Sequence, residues 1–177
     1  EAKAFYYTRA TINGGTINVH TTSNSAYGIN NTTDSVTING GTINASSDSG
    51  AAYGVAISTG KVTMTDGVIT ANGAGKTYGV YTSSSYNSMG TVEMSGGSVD
   101  AVSSDSVAYG VTAGKGNITG GTIHSNTYGL YVGYSGNIVT IGDNTDDTLS
   151  VTSPEIIGDV YAVYDGSINF YDGVLKG

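Results

Sequence analysis

The chain has 177 residues, a formal net charge of −8, only six Lys and Arg in total, 28 Gly, one Pro and no Cys. That balance speaks against tracking nucleic-acid phosphates or an anionic membrane, and without Cys there is no disulfide, thiolate metal site or Cys nucleophile. Charged residues make up 11% and hydrophobic ones 38%, a mixture that builds a core when apolar and polar residues alternate.

Residues 1–9 read as the tail of a preceding coil or an N-terminal cap, because Ala4-Phe5-Tyr6-Tyr7-Thr8 loosely matches Thr77-Tyr78-Gly79-Val80-Tyr81-Thr82. From residue 10 onward one phrase recurs: an apolar residue, a spacer, two turn-type residues, a spacer and a second apolar residue. It stands at Ile12-Asn13-Gly14-Gly15-Thr16-Ile17, Ile38-Asn39-Gly40-Gly41-Thr42-Ile43, Met64-Thr65-Asp66-Gly67-Val68-Ile69, Met94-Ser95-Gly96-Gly97-Ser98-Val99 and Ile118-Thr119-Gly120-Gly121-Thr122-Ile123. A looser copy begins at Ile141-Gly142-Asp143-Asn144, and Phe170-Tyr171-Asp172-Gly173-Val174-Leu175 closes the series. The lead residues lie 26, 26, 30, 24, 23 and 29 apart. Such a period, rich in Thr, Val, Ile and Tyr, predicts stacked β-coils of roughly 26 residues. Residues 10–177 then form one all-β solenoid domain of about seven coils, with three short strands per coil and a length of roughly 30–35 Å at ~4.8 Å per coil. The chain opens in mid-motif and stops with a coil unfinished, which reads as a fragment of a longer chain.

Alternation of side chains along a strand places Val36, Ile38, Ile43 and Ala45 inward and Thr37, Asn39, Thr42 and Asn44 outward. On the third strand it places Tyr53, Val55 and Ile57 inward and Gly54 and Ala56 outward. Across coils this predicts three inward columns. One runs Ile17, Ile43, Ile69, Val99, Ile123, Leu149 and Leu175; a second runs Val19, Ala45, Ala71, Ala101, Ser125 and Val151. The third is Ile29, Val55, Val80, Val111, Leu130 and Val163. An outward column runs Asn18, Asn44, Thr70, Asp100, His124, Ser150 and Lys176. The Gly, Asp and Asn corner residues tolerate the positive φ of a tight turn. In the sixth coil Thr145-Asp146-Asp147 reads as a corner insertion, and residues 153–158 as a lengthened loop; both are expected to bulge from the rod.

Each third strand opens with an aromatic residue: Tyr27, Tyr53, Tyr78, Tyr109, Tyr128 and Tyr161, followed by Gly in all but the last. They predict a structural ladder of stacked rings at the core's edge. The functional reading of the same row is a Gly-lined strip for a glycan or a partner strand.

Candidate chemistry gathers in coil six. Asp143, Asn144, Asp146 and Asp147 are the candidate binding residues, and Asp143, Asp146 and Asp147 offer oxygen ligands suited to Ca²⁺. A solvated turn is the plainer reading, since the Gly and distal Glu of an EF-hand are missing, and no cofactor is expected. Asn144-Thr145-Asp146-Asp147 resembles the carboxylate motif of polygalacturonases, whose hydrolysis needs paired carboxylates and a basic grip on the uronate. The Gly-His-Gly and Arg-x-Lys partners are absent, and the only Arg is Arg9. His20 and His124 read as surface residues.

The phrase Ile-x-Gly-Gly-Thr-Ile followed by Tyr-Gly-Ile resembles the right-handed parallel β-helix (pectin-lyase-like) stalk regions of large bacterial surface and secreted proteins. The resemblance covers residues 10–177 and implies an extracellular adhesin or fibre with carbohydrate or host-surface binding. The expectation is therefore a non-catalytic stalk or fibre-forming adhesive segment at the bacterial cell surface. Its partners would be other segments of the same long chain, a second copy end to end, or a glycan or host-surface ligand. The alternative is a polysaccharide lyase or glycoside hydrolase acting on acidic polysaccharide.

Overall fold

The regular coils of this chain repeat one solution to the same packing problem: an apolar, mostly β-branched stripe turned inward, a glycine corner, and a tyrosine strand that returns the chain. The computed structural model describes residues 1–7, 9–31, 33–83, 90–133, 136–143, 145, 150 and 153–177. In chain order its strands are β1 (Ala2–Tyr6), β2 (Ala10–Thr21), β3 (Ala26–Asn31), β4 (Val36–Ser47), β5 (Ala52–Ile57), β6 (Lys61–Gly73), β7 (Thr77–Thr82) and β8 (Thr91–Ser103). They continue with β9 (Ala108–Thr112), β10 (Lys115–Ser125), β11 (Tyr128–Tyr131), β12 (Ile138–Ile141), β13 (Glu155–Gly158), β14 (Tyr161–Tyr164), β15 (Ser167–Phe170) and β16 (Val174–Lys176).

All pairings are parallel, and each strand lies on its counterpart one coil away. One sheet runs β1-β3-β5-β7-β9-β11-β14; the other runs β15-β12-β10-β8-β6-β4-β2, with β13 and β16 continuing its far half. Ile12, Ile38, Met64, Met94, Ile118, Ile141 and Phe170 stack in register, which makes six full turns between seven lead residues. The chain is a parallel β-solenoid, and its main core cluster reaches from Ala10 to Ala162, with a small second cluster of Val19, Ala26 and Ala45 at one end.

The first two of the three expected strands are a single strand of 11 to 13 residues in the regular coils. It bends instead of breaking because the second corner glycine takes positive φ: 81° at Gly15, 88° at Gly41, 102° at Gly67, 82° at Gly97 and 86° at Gly121. Only that second position needs the left-handed region. A Cβ on Gly41 would also stand 2.8 Å from the backbone of Gly14 and Gly15, so the corners nest on one another.

The columns through Ile43 and Val55 form as expected in the regular coils: Ile17, Ile43, Ile69, Val99 and Ile123 pair in turn, as do Ile29, Val55, Val80, Val111, Leu130 and Val163. In coil six the assignment changes. The place expected for Leu149 is taken by Ile156, which pairs with Ile123 on one side and Leu175 on the other. Gly158 stands where Val151 was expected, and Ile157 where Ser150 was. Residues 153–158, expected as a loop, therefore carry strand β13, and the insertion between corner and strand reaches from Asp143 to Pro154. Leu149 and Val151 lie outside the described residues. The physical reason is burial: Ile156 is fully buried, and its alternation with Ile157 puts one β-branched side chain on each face.

The base of that insertion is held by the last coil. Asp172, nearly buried, accepts hydrogen bonds from the backbone N–H of Asp143 at 3.3 Å and of Ser150 at 3.0 Å. Val174 N–H donates to the Pro154 carbonyl at 2.8 Å.

Candidate functional site

The third strand departs from simple alternation, and this creates the most distinctive surface of the molecule. Ala26, Ala52, Thr77 and Ala108 are fully buried, and the tyrosine after each is half-exposed. The following glycine and the apolar residue after it are both buried. The expected inward Tyr53 and outward Gly54 are thus exchanged: the ring faces out and the glycine faces in. A Cβ on Gly28, Gly54, Gly79 or Gly110 would lie 2.2–2.5 Å from a methyl of Ile43, Ile69, Val99 or Ile123, and 2.5–2.6 Å from the next glycine's carbonyl. Bulk at that inward position is excluded, so no Gly-lined strip reaches the surface.

The rings form an outer ladder. Tyr27 and Tyr53 stack at 4.6 Å and 6°, Tyr53 and Tyr78 at 5.0 Å and 10°, and Tyr78 and Tyr109 at 5.1 Å and 9°. Tyr109–Tyr128 is tilted by 42° at 5.3 Å, and Tyr128–Tyr161 is parallel at 6.0 Å. Packing desolvates the hydroxyls in the middle of the ladder. Burial, with the Tyr27 and Tyr81 hydroxyls beside it, pushes Tyr53 up to about 12, and burial raises Tyr78 in the same direction.

A second aromatic column, not expected from the sequence, stands beside the first. Tyr81 meets Tyr53 and Tyr78 edge to face at 5.8 and 4.9 Å, Tyr131 does the same to Tyr109 at 5.5 Å, and Tyr164 stacks on Tyr128 at 4.3 Å. The signal was the spacing Tyr-Gly-Val-Tyr. Strict alternation sends residues three apart to opposite faces, but two successive inward residues bring them back to one. In this column Ala56 is in register with Asn30 and Tyr81, and Tyr131 with Thr112, so the aromatic wall is interrupted at Thr112 and, over two successive coils, at Asn30 and Ala56. The gap is an open notch of about 200 Å³ lined by Tyr27, Tyr53, Tyr81, Asn30, Ala56 and Ser58 among others.

The coil-six candidates divide. Asn144, Asp146 and Asp147 lie outside the described residues. Asp143 is exposed, and its Oδ1 accepts from the Thr145 N–H at 2.8 Å and hydroxyl at 2.6 Å. Those bonds hold its carboxyl below the usual range, the wrong direction for a general acid. Asp143 lines a groove of about 390 Å³ with Thr63, Glu93, Asn117, Thr119 and Thr145. Asn117 donates to Glu93 at 3.1 Å, and Lys115 joins Glu93 and Asn117 in the adjoining recess.

The two histidines tie coils together. His20 Nδ1 lies 3.0 Å from the Ser46 hydroxyl, and His124 Nδ1 lies 2.6 Å from Asp100 Oδ1, with Asp159 at 3.9 Å from its other nitrogen. Among the described residues no group of three His, Cys, Asp or Glu is arranged to hold a metal. No family model, no curated protein and no solved structure matches the chain. What the coordinates define is thus a class by architecture: a tyrosine-faced parallel β-solenoid.

Proposed function

We propose that the chain is a non-catalytic, rigid and adhesive segment of a bacterial cell-surface or secreted protein, similar to the pectin-lyase-like β-helix stalks. One observation carries this reading: the parallel ladder from Ile12 to Phe170 runs from coil to coil, over a main core cluster that reaches from Ala10 to Ala162. A solenoid of this kind has nearest-neighbour stability and exposes long columns of repeated side chains, a geometry suited to reach and multivalent contact. Its partners would be adjoining coils of the same chain or a second copy end to end, together with ligands on the outer columns.

Stretching single molecules tethered at both ends tests the mechanical part. The expected record is a series of unfolding steps near 90 Å, or multiples of it, since 26 extended residues span about that length. One low-force collapse of the whole chain would sink the proposal. Incubation with polygalacturonate and other uronate polymers tests the alternative enzyme reading, for which the groove joining Glu93 and Asp143 is the specific observation. No turnover is expected. Turnover that disappears in Glu93→Gln or Asp143→Asn would replace the stalk reading by the enzyme one.

A further inference from the structure

The interruption of the second aromatic column sets three tyrosines around one small hollow. Tyr27 and Tyr53 stack as its near wall, and Tyr81 stands at 77° to Tyr53 as its end wall. Ala56 leaves the hollow open, since it stands in register with Tyr81 one coil further on and lacks that ring. At about 200 Å³ the hollow lies below the roughly 300–1,000 Å³ of sites for drug-sized molecules. It has room for a single ring.

The chemistry of the rim narrows the occupant. Asn30 and Ser58 line the hollow and make no side-chain hydrogen bond among the described residues. No charged side chain lines it, and the chain carries a net charge of −8, so a uronate, sialyl or sulfated residue would arrive uncompensated and repelled. A wholly apolar ring, such as a peptide Phe, would cover Asn30 and Ser58 without satisfying them, at the cost of burying unpaired polar groups. A ring with an apolar face and a hydroxyl rim meets both demands.

We propose that this notch binds one neutral pyranose residue, a hexose or N-acetylhexosamine, of a glycan. The sugar's C–H groups lie against the ring edges of Tyr27 and Tyr53 and against Tyr81, and its hydroxyls or amide bond Asn30 and Ser58. Ring faces along the ladder, those of Tyr53 included, are consumed by stacking, so recognition is confined to the notch, where ring edges, Tyr81, Asn30 and Ser58 meet, and the ladder beyond Tyr81 serves as support. The site names a ligand class for the adhesive role but does not depend on the chain's being a stalk, because sugar occupancy and resistance to force are read separately.

Saturation-transfer NMR and calorimetry with methyl glycosides and trisaccharides of glucose, mannose, galactose and N-acetylglucosamine test it, with galacturonate trisaccharide and acetyl-Phe-amide as competitors. At least one neutral sugar is expected to bind, and Ala56→Tyr, which sets a ring in register with Tyr81, is expected to lower its affinity at least tenfold. A thermal melt close to that of the native chain is expected for this variant and checks that it still folds. Tyr81→Ala, opening the notch from the other side, gives the same loss by removing the end wall, whereas Tyr128→Ala leaves binding unchanged. Four results overturn the proposal: no neutral sugar binds, binding survives both Ala56→Tyr and Tyr81→Ala, only the galacturonate binds, or acetyl-Phe-amide occupies the notch in preference to every sugar.

Discussion

The regular coils from β2 to β11 and the coils after Val132 are built from the same repeat, yet they differ in how much each residue is constrained. In the first region an inward side chain has a neighbour above, a neighbour below and a glycine beside it. Ile69 sits between Ile43 and Val99, against Gly54, and is fully buried. In the second region the corner is lengthened, the long strand divides into β12 with β13 and then β15 with β16, and the last column members are open: Phe170 is 46% exposed and Leu175 38%. A solenoid residue is thus specified by its two stacking partners as much as by its own position in the repeat.

The largest test of that contrast is truncation within one column. Ile69→Ala is expected to cost about 2–5 kcal/mol, because the neighbours above and below cannot close the cavity. Leu175→Ala, removing a side chain of the same column where it is open, should cost about 0.5 kcal/mol or less. Urea unfolding of the two variants decides it. Equal losses would mean that the column is not the unit of stability.

A smaller effect sharpens the same contrast at the inward glycines. A Cβ on Gly79 would stand 2.3 Å from Val99 Cγ1 and 2.6 Å from the Gly110 carbonyl, so Gly79→Ala is expected to cost about 1–3 kcal/mol through overpacking. The equivalent residue on β14 is Ala162, and among the described residues β14 is the last strand of its sheet, with no carbonyl of a following strand against it. Replacing Ala162 by Gly should cost about 0.5–1 kcal/mol through added backbone freedom. Thermal unfolding of both variants checks the pair, and a harmless Gly79→Ala would refute the crowding account.

This contrast also explains how much of the fold is legible in the sequence. The period, the parallel stacking and the columns through Ile43 and Val55 were legible because period and alternation act on every coil alike. The sixth coil misled because Thr148-Leu149-Ser150-Val151 and Glu155-Ile156-Ile157-Gly158 both fit the template. Choosing between them needs the stacking partners Ile123 and Leu175, which no local pattern supplies. The inward turn of Gly54 and its relatives was hidden for a different reason. Alternation treats a glycine as a residue with a side to face, whereas here its use is to have none. The notch at Ala56 follows from that reversal, and so was not visible either.

The smallest expected effect concerns protons and is confined to the regular region. Tyr53 is held between Tyr27 and Tyr78 with Tyr81 against its edge, and burial raises its hydroxyl to about 12. An unfolded tyrosine ionises near pH 10. The folded chain therefore binds this proton more tightly than the unfolded chain does. The resulting stabilisation is complete below about pH 10 and is lost as pH climbs from there toward about 12. Tyr78 moves in the same direction, so the two losses fall in one alkaline window. Urea midpoints taken across that window should decline in the native chain. They should decline less in Tyr53→Phe, which keeps the stacked ring and removes the ionising group. A decline of the same size in both proteins would show that Tyr53 does not sit desolvated in the ladder, and the packing described for the outer face would need revision.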